Sequence, residues 1–295
     1  DLGIWTDEQA EALAPITEFI RDQGSVPGIQ LAHAGRKAST SRPWDGHEPL
    51  GPDAGGWDVV GPSGEPWPYE DEPPATHRLD EAGIESVVDS FRAAAERALD
   101  AGFEVAEVHA AHGYLLHEFL SPVTNHREDR YGGDFEGRTR LTREVTAAVR
   151  EVWPDDRPVF VRISATDWLP DRDSWTVADS VRLADALADL GADLVDVSGG
   201  GISPDSWPET AGPNYQLPYA ERLRRETEAD IAVGAVGGIR TPEQAEAIAA
   251  NERADLAIVG REHLRDPYFA LHAAQALEAT DEIEGPPQYR RAFGF

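Results

Sequence analysis

Six short runs rich in β-branched residues constrain the fold of this chain more than any other feature: Gly28–Leu31, Val105–His109, Val159–Ile163, Asp193–Val197, Ile231–Ala235 and Ala254–Val259. Near-continuous apolar runs of this length, with few alternating polar positions, mark strands buried on both faces. Amphipathic helical segments lie between them: Ile84–Ala101, Arg138–Val152, Val177–Leu190, Tyr219–Glu228 and Pro242–Ala250. Gly102 and Gly191 stand where the helices before them should stop. Strands alternating with helices predict one parallel sheet wired by helical crossovers, an α/β fold.

Such a sheet is completed either as an open doubly wound sheet or as a closed (β/α)8 TIM barrel. Six strands by themselves favour the open sheet. The strand ends favour the barrel, because several finish in polar or glycine residues, and the last two run into turns suited to phosphate, Gly234-Ala-Val-Gly-Gly238 and Gly260-Arg261. The expectation is therefore a single barrel domain over residues 1–295, with the first two strands and the first helix of the barrel missing from the chain. The opening segment agrees: Trp5-Thr6-Asp7-Glu8 reads as a helix start that would follow a second strand. Residues Ser39–Pro74 form the one long irregular stretch, and Trp44, Trp57 and Trp67 within it suggest an ordered loop over the barrel mouth. A surface excursion with its own small cluster is the alternative.

Charge narrows the function. The 26 Lys and Arg against 55 Asp and Glu leave a formal net charge of −29, and Lys37 is the only lysine. A field of that sign repels phosphate backbones and anionic lipid heads, so neither a nucleic-acid nor a membrane partner is expected. The acids are scattered through patterned helices, which fits the solvated surface of a halophile better than an acidic interaction tail. With no cysteine there is no disulfide framework and no thiolate metal site. Nothing in the sequence reads as a membrane span or a signal peptide, so a cytoplasmic location is expected.

The chemistry concentrates in Glu107-Val-His-Ala-Ala-His-Gly-Tyr-Leu-Leu-His-Glu-Phe-Leu-Ser-Pro122, which spans a strand end and the loop after it. His109 and His112 are placed to present two imidazoles at a barrel mouth. Two neutral imidazoles can donate to one carbonyl or nitro oxygen where negative charge develops. Tyr114 adds a phenol. A metal site at His109, His112 and His117 is the rival, and it lacks the His-Glu-x-x-His helix signature, so no metal is expected.

Five runs in order, Gly28-Ile-Gln-Leu-Ala-His-Ala-Gly-Arg36, His109-Ala-Ala-His-Gly-Tyr114, Ser121-Pro-Val-Thr-Asn-His-Arg127, Tyr131-Gly-Gly133 and Gly260-Arg-Glu262, together resemble the old yellow enzymes, most closely the bacterial ene-reductase branch that includes xenobiotic reductases. The resemblance implies FMN as cofactor, NADPH or NADH as hydride donor, and an enone or nitro compound as substrate. It implies His109, His112 and Tyr114 as catalytic residues, Gln30 at the flavin's pyrimidine edge, and Arg162 beside its N1 and C2 carbonyl. Arg162 paired to a barrel-mouth acid such as Asp196 is the alternative for that residue. Gly237, Gly238, Gly260 and Arg261 would hold the FMN phosphate, as glycine turns after the last barrel strands do in many barrels. Ser198-Gly-Gly-Gly201 is either a flexible turn or a loop admitting the ribityl chain. Arg291 matches a tail residue that reaches a neighbouring subunit's site in a homo-oligomer, although the ending Ala292-Phe-Gly-Phe295 departs from the shorter glycine-tryptophan end of relatives. The rival functions are a barrel fragment that binds ligand without turnover, and an aldolase or isomerase. The latter would want a Schiff-base lysine or paired carboxylates at strand ends.

Overall fold

The computed structural model describes residues 2–69, 73–283, 285 and 287–293. Helix α1 (Asp7–Asp22) leads into β1 (Gly28–Leu31); β2 (Val59–Gly61) and β3 (Thr76–Arg78) form a small parallel pair of their own. Then follow α2 (Glu81–Asp100), β4 (Val105–Ala110), α3 (Leu115–Leu120), α4 (Phe135–Val152), β5 (Val159–Ser164), α5 (Val177–Ala188), β6 (Leu194–Ser198), α6 (Leu217–Glu226), β7 (Ala232–Val236), α7 (Pro242–Ala250) and β8 (Leu256–Ile258). Short helices α8 (Arg261–Arg265), α9 (Phe269–Ala276) and α10 (Arg290–Phe293) close the order.

The main sheet is parallel throughout, and its spatial order, β1-β4-β5-β6-β7-β8, follows the chain without reversal. A doubly wound sheet reverses direction at a switch point; strictly sequential winding is the barrel pattern. The six expected strands are these six, with ends moved by one or two residues: the last is Leu256–Ile258 rather than 254–259. The sheet's terminal strands are β1 and β8, and Leu256 on β8 is 41% exposed.

Local chemistry explains the helix boundaries. Thr6, Thr176 and Thr241 each close a capping box, and Asp80 and Asp134 cap α2 and α4 by accepting from Gly83 and Gly137 N–H. Gly102 and Gly191 follow α2 and α5 with φ of +87° and +83°, a left-handed conformation glycine adopts without a Cβ penalty. Between helices and sheet, Val108, Val161, Ile163, Val195, Val197 and Val233 on the strands join Ile84, Phe91, Leu141, Val145, Val149, Leu183 and Leu187 in one buried core. Each such side chain contributes about 1.5–3 kcal/mol by leaving water.

Alternate strand residues face the other way, and towards the strand ends that face is polar, carrying Gln30, Glu107, His109, Arg162, Ser164, Asp196 and Ser198, with Phe160 and Leu194 nearer the strand starts. The register aligns them in rows, with Gln30 beside Glu107, His109 beside Arg162, Arg162 beside Asp196 and Ser164 beside Ser198. A sheet with one apolar and one polar face has its site on the polar one.

The stretch 39–74 holds more structure than its composition suggests. It carries short 3-10 turns at Pro43–Asp45 and Pro52–Ala54 and the strand β2. Of its tryptophans, Trp44 and Trp57 are exposed, while Trp67 packs over the Lys37 ammonium, 4.0 Å from ring centroid to nitrogen.

Candidate active site

Strand β4 ends by delivering His109, 4% exposed, to the polar face. The chain then makes a tight turn in which His112 and Gly113 both have positive φ, +60° and +71°, before α3 begins at Leu115. A non-glycine residue in that region is uncommon and needs its surroundings to hold it. Here the His112 N–H donates to Ser164 Oγ (2.9 Å), Lys37 Nζ donates to the His112 carbonyl (2.7 Å), and the Gly113 N–H donates to His117 Nδ1 (2.9 Å). The turn brings the His112 ring 5.1 Å from that of His109, and the Tyr114 ring 5.2 Å from His109 at near-perpendicular orientation.

Burial, with Arg162 and Lys37 adding like charge, pushes the His109 imidazole down to about 3; burial followed by His109 and Arg162 pushes His112 down to about 2. Both are neutral at any physiological pH, and each carries one N–H to donate. The Tyr114 phenol is raised by burial and so keeps its proton. His112 Nε2 lies 2.7 Å from Ser198 Oγ, and His109 Nδ1 is buried with no hydrogen-bond partner among the described residues. His117 is turned away from this pair, with Nε2 2.9 Å from Asp167 and Nδ1 taken by Gly113, which separates it from the other two histidines as a metal ligand.

Beside the histidines lies a polar cluster that runs from exposed Gln30 through half-buried Glu107 and Arg162 to buried Asp196. The Gln30 amide donates to Glu107 (2.5 Å), and Arg162 Nη1 sits 3.2 Å from Asp196 Oδ2. Arg162 makes the ion pair with Asp196 that was the alternative for it, and it also lines a cavity. Burial raises the Asp196 carboxyl to about 7 and raises Glu107 as well, with Arg162 opposing both. Arg162 Nε is buried without a hydrogen bond among the described residues, while the Asp196 and Glu107 carboxyls share a hydrogen bond between them.

Two neighbouring cavities open on this face and share His112, Ser198, Tyr215, Gln216, Gly238, Arg240 and Arg261. The smaller, of about 280 Å³, is bounded by Gly237, Gly238, Gly260, Arg261, Arg240, Arg265 and Arg162. Gly237 and Gly238 have φ of +120° and +72°, and a Cβ on either would lie 2.7 Å from Gln216 Nε2 or 2.6 Å from the Gly212 carbonyl. Only glycine fits a turn that must bring its backbone this close. The larger, of about 480 Å³, adds Lys37, Trp67, Trp168 and Trp207. Lys37 is held between the His112 and Gly201 carbonyls, and burial with Arg36 nearby depresses it to about 8.

Of the residues singled out in the sequence, the fold gathers His109, His112, Tyr114, Gln30 and Arg162 at the ends of β1, β4 and β5, and Gly237, Gly238, Gly260 and Arg261 after β7 and β8. Gln30, His109 and Tyr114 line neither cavity: His109 is buried and Gln30 is exposed. Arg291, on α10, is exposed and lines neither cavity. Sequence reasoning left out Ser198, Ser164, Gln216 and Lys37. Ser198 was visible in its glycine run, and Lys37 in being the sole lysine of a strongly acidic chain.

A family model described as NADH:flavin oxidoreductase / NADH oxidase matches residues 1–280. The chain belongs to this family. It is a flavin oxidoreductase, and membership sets aside the aldolase and isomerase readings. An NADPH dehydrogenase of Listeria monocytogenes is 45% identical over 293 residues, 99% of this chain and 79% of that protein. Among solved structures, an old yellow enzyme homologue of Zymomonas mobilis superposes with a TM-score of 0.72 at 27% identity, covering 94% of this chain and 74% of that one. Morphinone reductase in complex with tetrahydroNAD gives 0.72 at 28%, covering 94% and 72%. The old yellow enzyme resemblance and the barrel fold expected from the sequence both stand. The site also fits the family's cofactor, FMN: an arginine-rimmed glycine cradle suits a phosphate, and Arg162, whose Nε is buried without a hydrogen bond among the described residues, lines the same cavity as His112.

Proposed function

We propose that this flavin oxidoreductase reduces activated C=C bonds of α,β-unsaturated carbonyl or nitro compounds, with NADPH as electron donor and the two substrates using the same mouth in turn. The observation that carries the reading is the pair of buried, neutral imidazoles of His109 and His112, with ring centroids 5.1 Å apart. Neutral N–H donors in a low-dielectric site stabilise charge developing on a carbonyl or nitro oxygen, and being preorganised they need no rearrangement as the charge appears.

In this reading His109 and His112 hold the substrate oxygen and withdraw electron density from the alkene. Ser198 holds the His112 ring until substrate arrives, and Ser164 and Lys37 fix its backbone. Tyr114, kept protonated by burial, delivers the proton to the α-carbon. Gln30, Arg162, Gly237, Gly238, Gly260 and Arg261 would hold FMN, with Arg162 contributing a permanent positive charge. FMN would supply the hydride chemistry that links NADPH to the β-carbon of the substrate. Arg291 acts in trans within a homo-oligomer. The acidic surface belongs to a halophile's cytoplasmic protein.

The test is an absorbance spectrum of the purified chain in high salt with FMN added, followed by anaerobic NADPH and then 2-cyclohexenone. Bound flavin that bleaches with NADPH and recovers its colour with the enone is the expected result. Flavin that bleaches and stays bleached would refute the enone reading, and a chain that retains no flavin would point to the non-catalytic fragment.

A further inference from the structure

The geometry points to His117 and Asp167 as a positioning pair that holds the 112–114 turn in the conformation that aims its donors. The inference rests on the catalytic reading of His112 and Tyr114 given above. Both side chains are completely buried, which leaves them no surface with which to touch substrate or cofactor.

The hydrogen bonds run in one direction. The Gly113 N–H donates to His117 Nδ1 (2.9 Å), so Nδ1 carries the lone pair and the ring's proton is on Nε2, 2.9 Å from Asp167 Oδ1. The other carboxylate oxygen of Asp167 accepts from Ser121 Oγ (2.6 Å) and the Trp175 N–H (2.8 Å). Every acceptor is filled, and three segments meet: the catalytic turn, α3 with the residue after it, and the loop from β5 to α5. A carboxylate behind an imidazole fixes its tautomer and strengthens the opposite nitrogen as an acceptor, as it does behind metal-bound histidines.

The turn needs such a restraint. His112 and Gly113 both sit in the left-handed region, and Gly113 lies between His112 and Tyr114, two of the three side chains that work on substrate in the proposed function. Ser164 and Lys37 pin the His112 peptide groups on either side of its Cα. The Gly113 N–H is a further side-chain-held point, beside the backbone bonds from Tyr114 N–H to the Ala111 carbonyl and from Leu115 N–H to the His33 carbonyl, and it fixes the tilt of the peptide that joins His112 to Gly113.

Two substitutions separate the halves of the device. His117→Asn puts an amide oxygen where Nδ1 was, keeping the acceptor for Gly113 and losing Asp167. His117→Gln puts an amide nitrogen where Nε2 was, keeping the link to Asp167 and losing Gly113. Each loses one buried hydrogen bond, so a merely structural role predicts equal effects. On the FMN-loaded protein, positioning predicts that the Gln variant raises the Kd for 2-cyclohexenone tenfold or more, read from the flavin absorbance change, and exposes the Gly113 amide to hydrogen exchange. The Asn variant stays within about threefold of wild type and keeps that amide protected. Asp167→Asn, which cannot satisfy Trp175 N–H and His117 Nε2–H together, follows the Gln variant and serves where a His117 variant does not fold. Equal enone affinity and equal Gly113 exchange in the Asn and Gln variants would overturn the inference. A wild-type protein that oxidises NADPH without binding or reducing the enone would sink the enone reading instead, and the Gly113 exchange pattern would still decide the positioning role.

Discussion

Substituting Gly113 by alanine attacks the catalytic turn through one added methyl group. At φ +71° an alanine carries a left-handed penalty of about 1–2 kcal/mol. Its Cβ would also lie 2.1 Å from the Gly201 carbonyl oxygen, whereas real Cβ atoms stay beyond 3.0 Å, so the two backbones must part by at least 0.9 Å, the difference between these distances. The atom met is backbone rather than the end of a flexible side chain, and overpacking of this kind adds about 1–3 kcal/mol. The turn carries His112, and with that ring holding the substrate oxygen as proposed, a displacement near 1 Å lowers rate by about 10²-fold. Gly24→Ala is the control: Gly24 has φ +81°, and an alanine Cβ there would have no neighbour within 4 Å, so it carries the backbone penalty alone. Urea denaturation and kcat/KM for NADPH-dependent reduction of 2-cyclohexenone should be measured on both. Gly113→Ala is expected to lose about 1–3 kcal/mol more than Gly24→Ala and about 100-fold in kcat/KM, with Gly24→Ala keeping wild-type activity. If the two variants match in both measurements, the close approach of the 113 and 201 backbones is not what constrains this turn.

Replacing His109 or His112 singly by alanine removes one preorganised donor, and kcat for enone reduction should fall by about 10²–10³-fold, checked by steady-state kinetics. Because burial holds both imidazoles far below their ordinary 6.5, kcat/KM should show no histidine limb between about pH 5 and 8. The same depression has a stability consequence: below about 6.5 the unfolded imidazoles bind protons that the folded ones refuse, so stability is lost as pH falls towards 3, and His109→Gln should flatten that fall in urea titrations across pH. Arg162→Met leaves Asp196 and Glu107 without their counter-charge; it should destabilise the fold by about 3 kcal/mol and weaken FMN about tenfold or more, by denaturation and by flavin titration, with an unchanged FMN Kd counting against Arg162 as a flavin ligand.

The reach of sequence reasoning differs element by element. Strand β1 is legible to the residue because a proline before it and a histidine-glycine turn after it bound a short apolar run, and α2, α4 and α5 are legible because their apolar stripes repeat at the helical period between cap and stop. Helix α3 is not, because all six of its residues are buried and a fully buried segment has no stripe to read. Strand β2 escapes notice as three residues among glycines and prolines, stabilised by pairing with β3 rather than by its own propensity.

The parallel α/β pattern, the family and the residue types of the site are all legible along the chain, since periodicity, caps and ordered motifs are relations between near neighbours. Which groups meet is a matter for the folded molecule: Arg162 with Asp196, His112 with Ser198, Lys37 with the His112 and Gly201 carbonyls, and His117 with Asp167. His117 and Asp167 stand 50 positions apart, His112 and Ser198 stand 86 apart, and Lys37 and Gly201 stand 164 apart. No local pattern encodes such pairings. Arg162 and Asp196 are set side by side by the register of the parallel sheet; the other pairs join the turns and loops that follow the strands, where burial makes every unpaired polar group expensive.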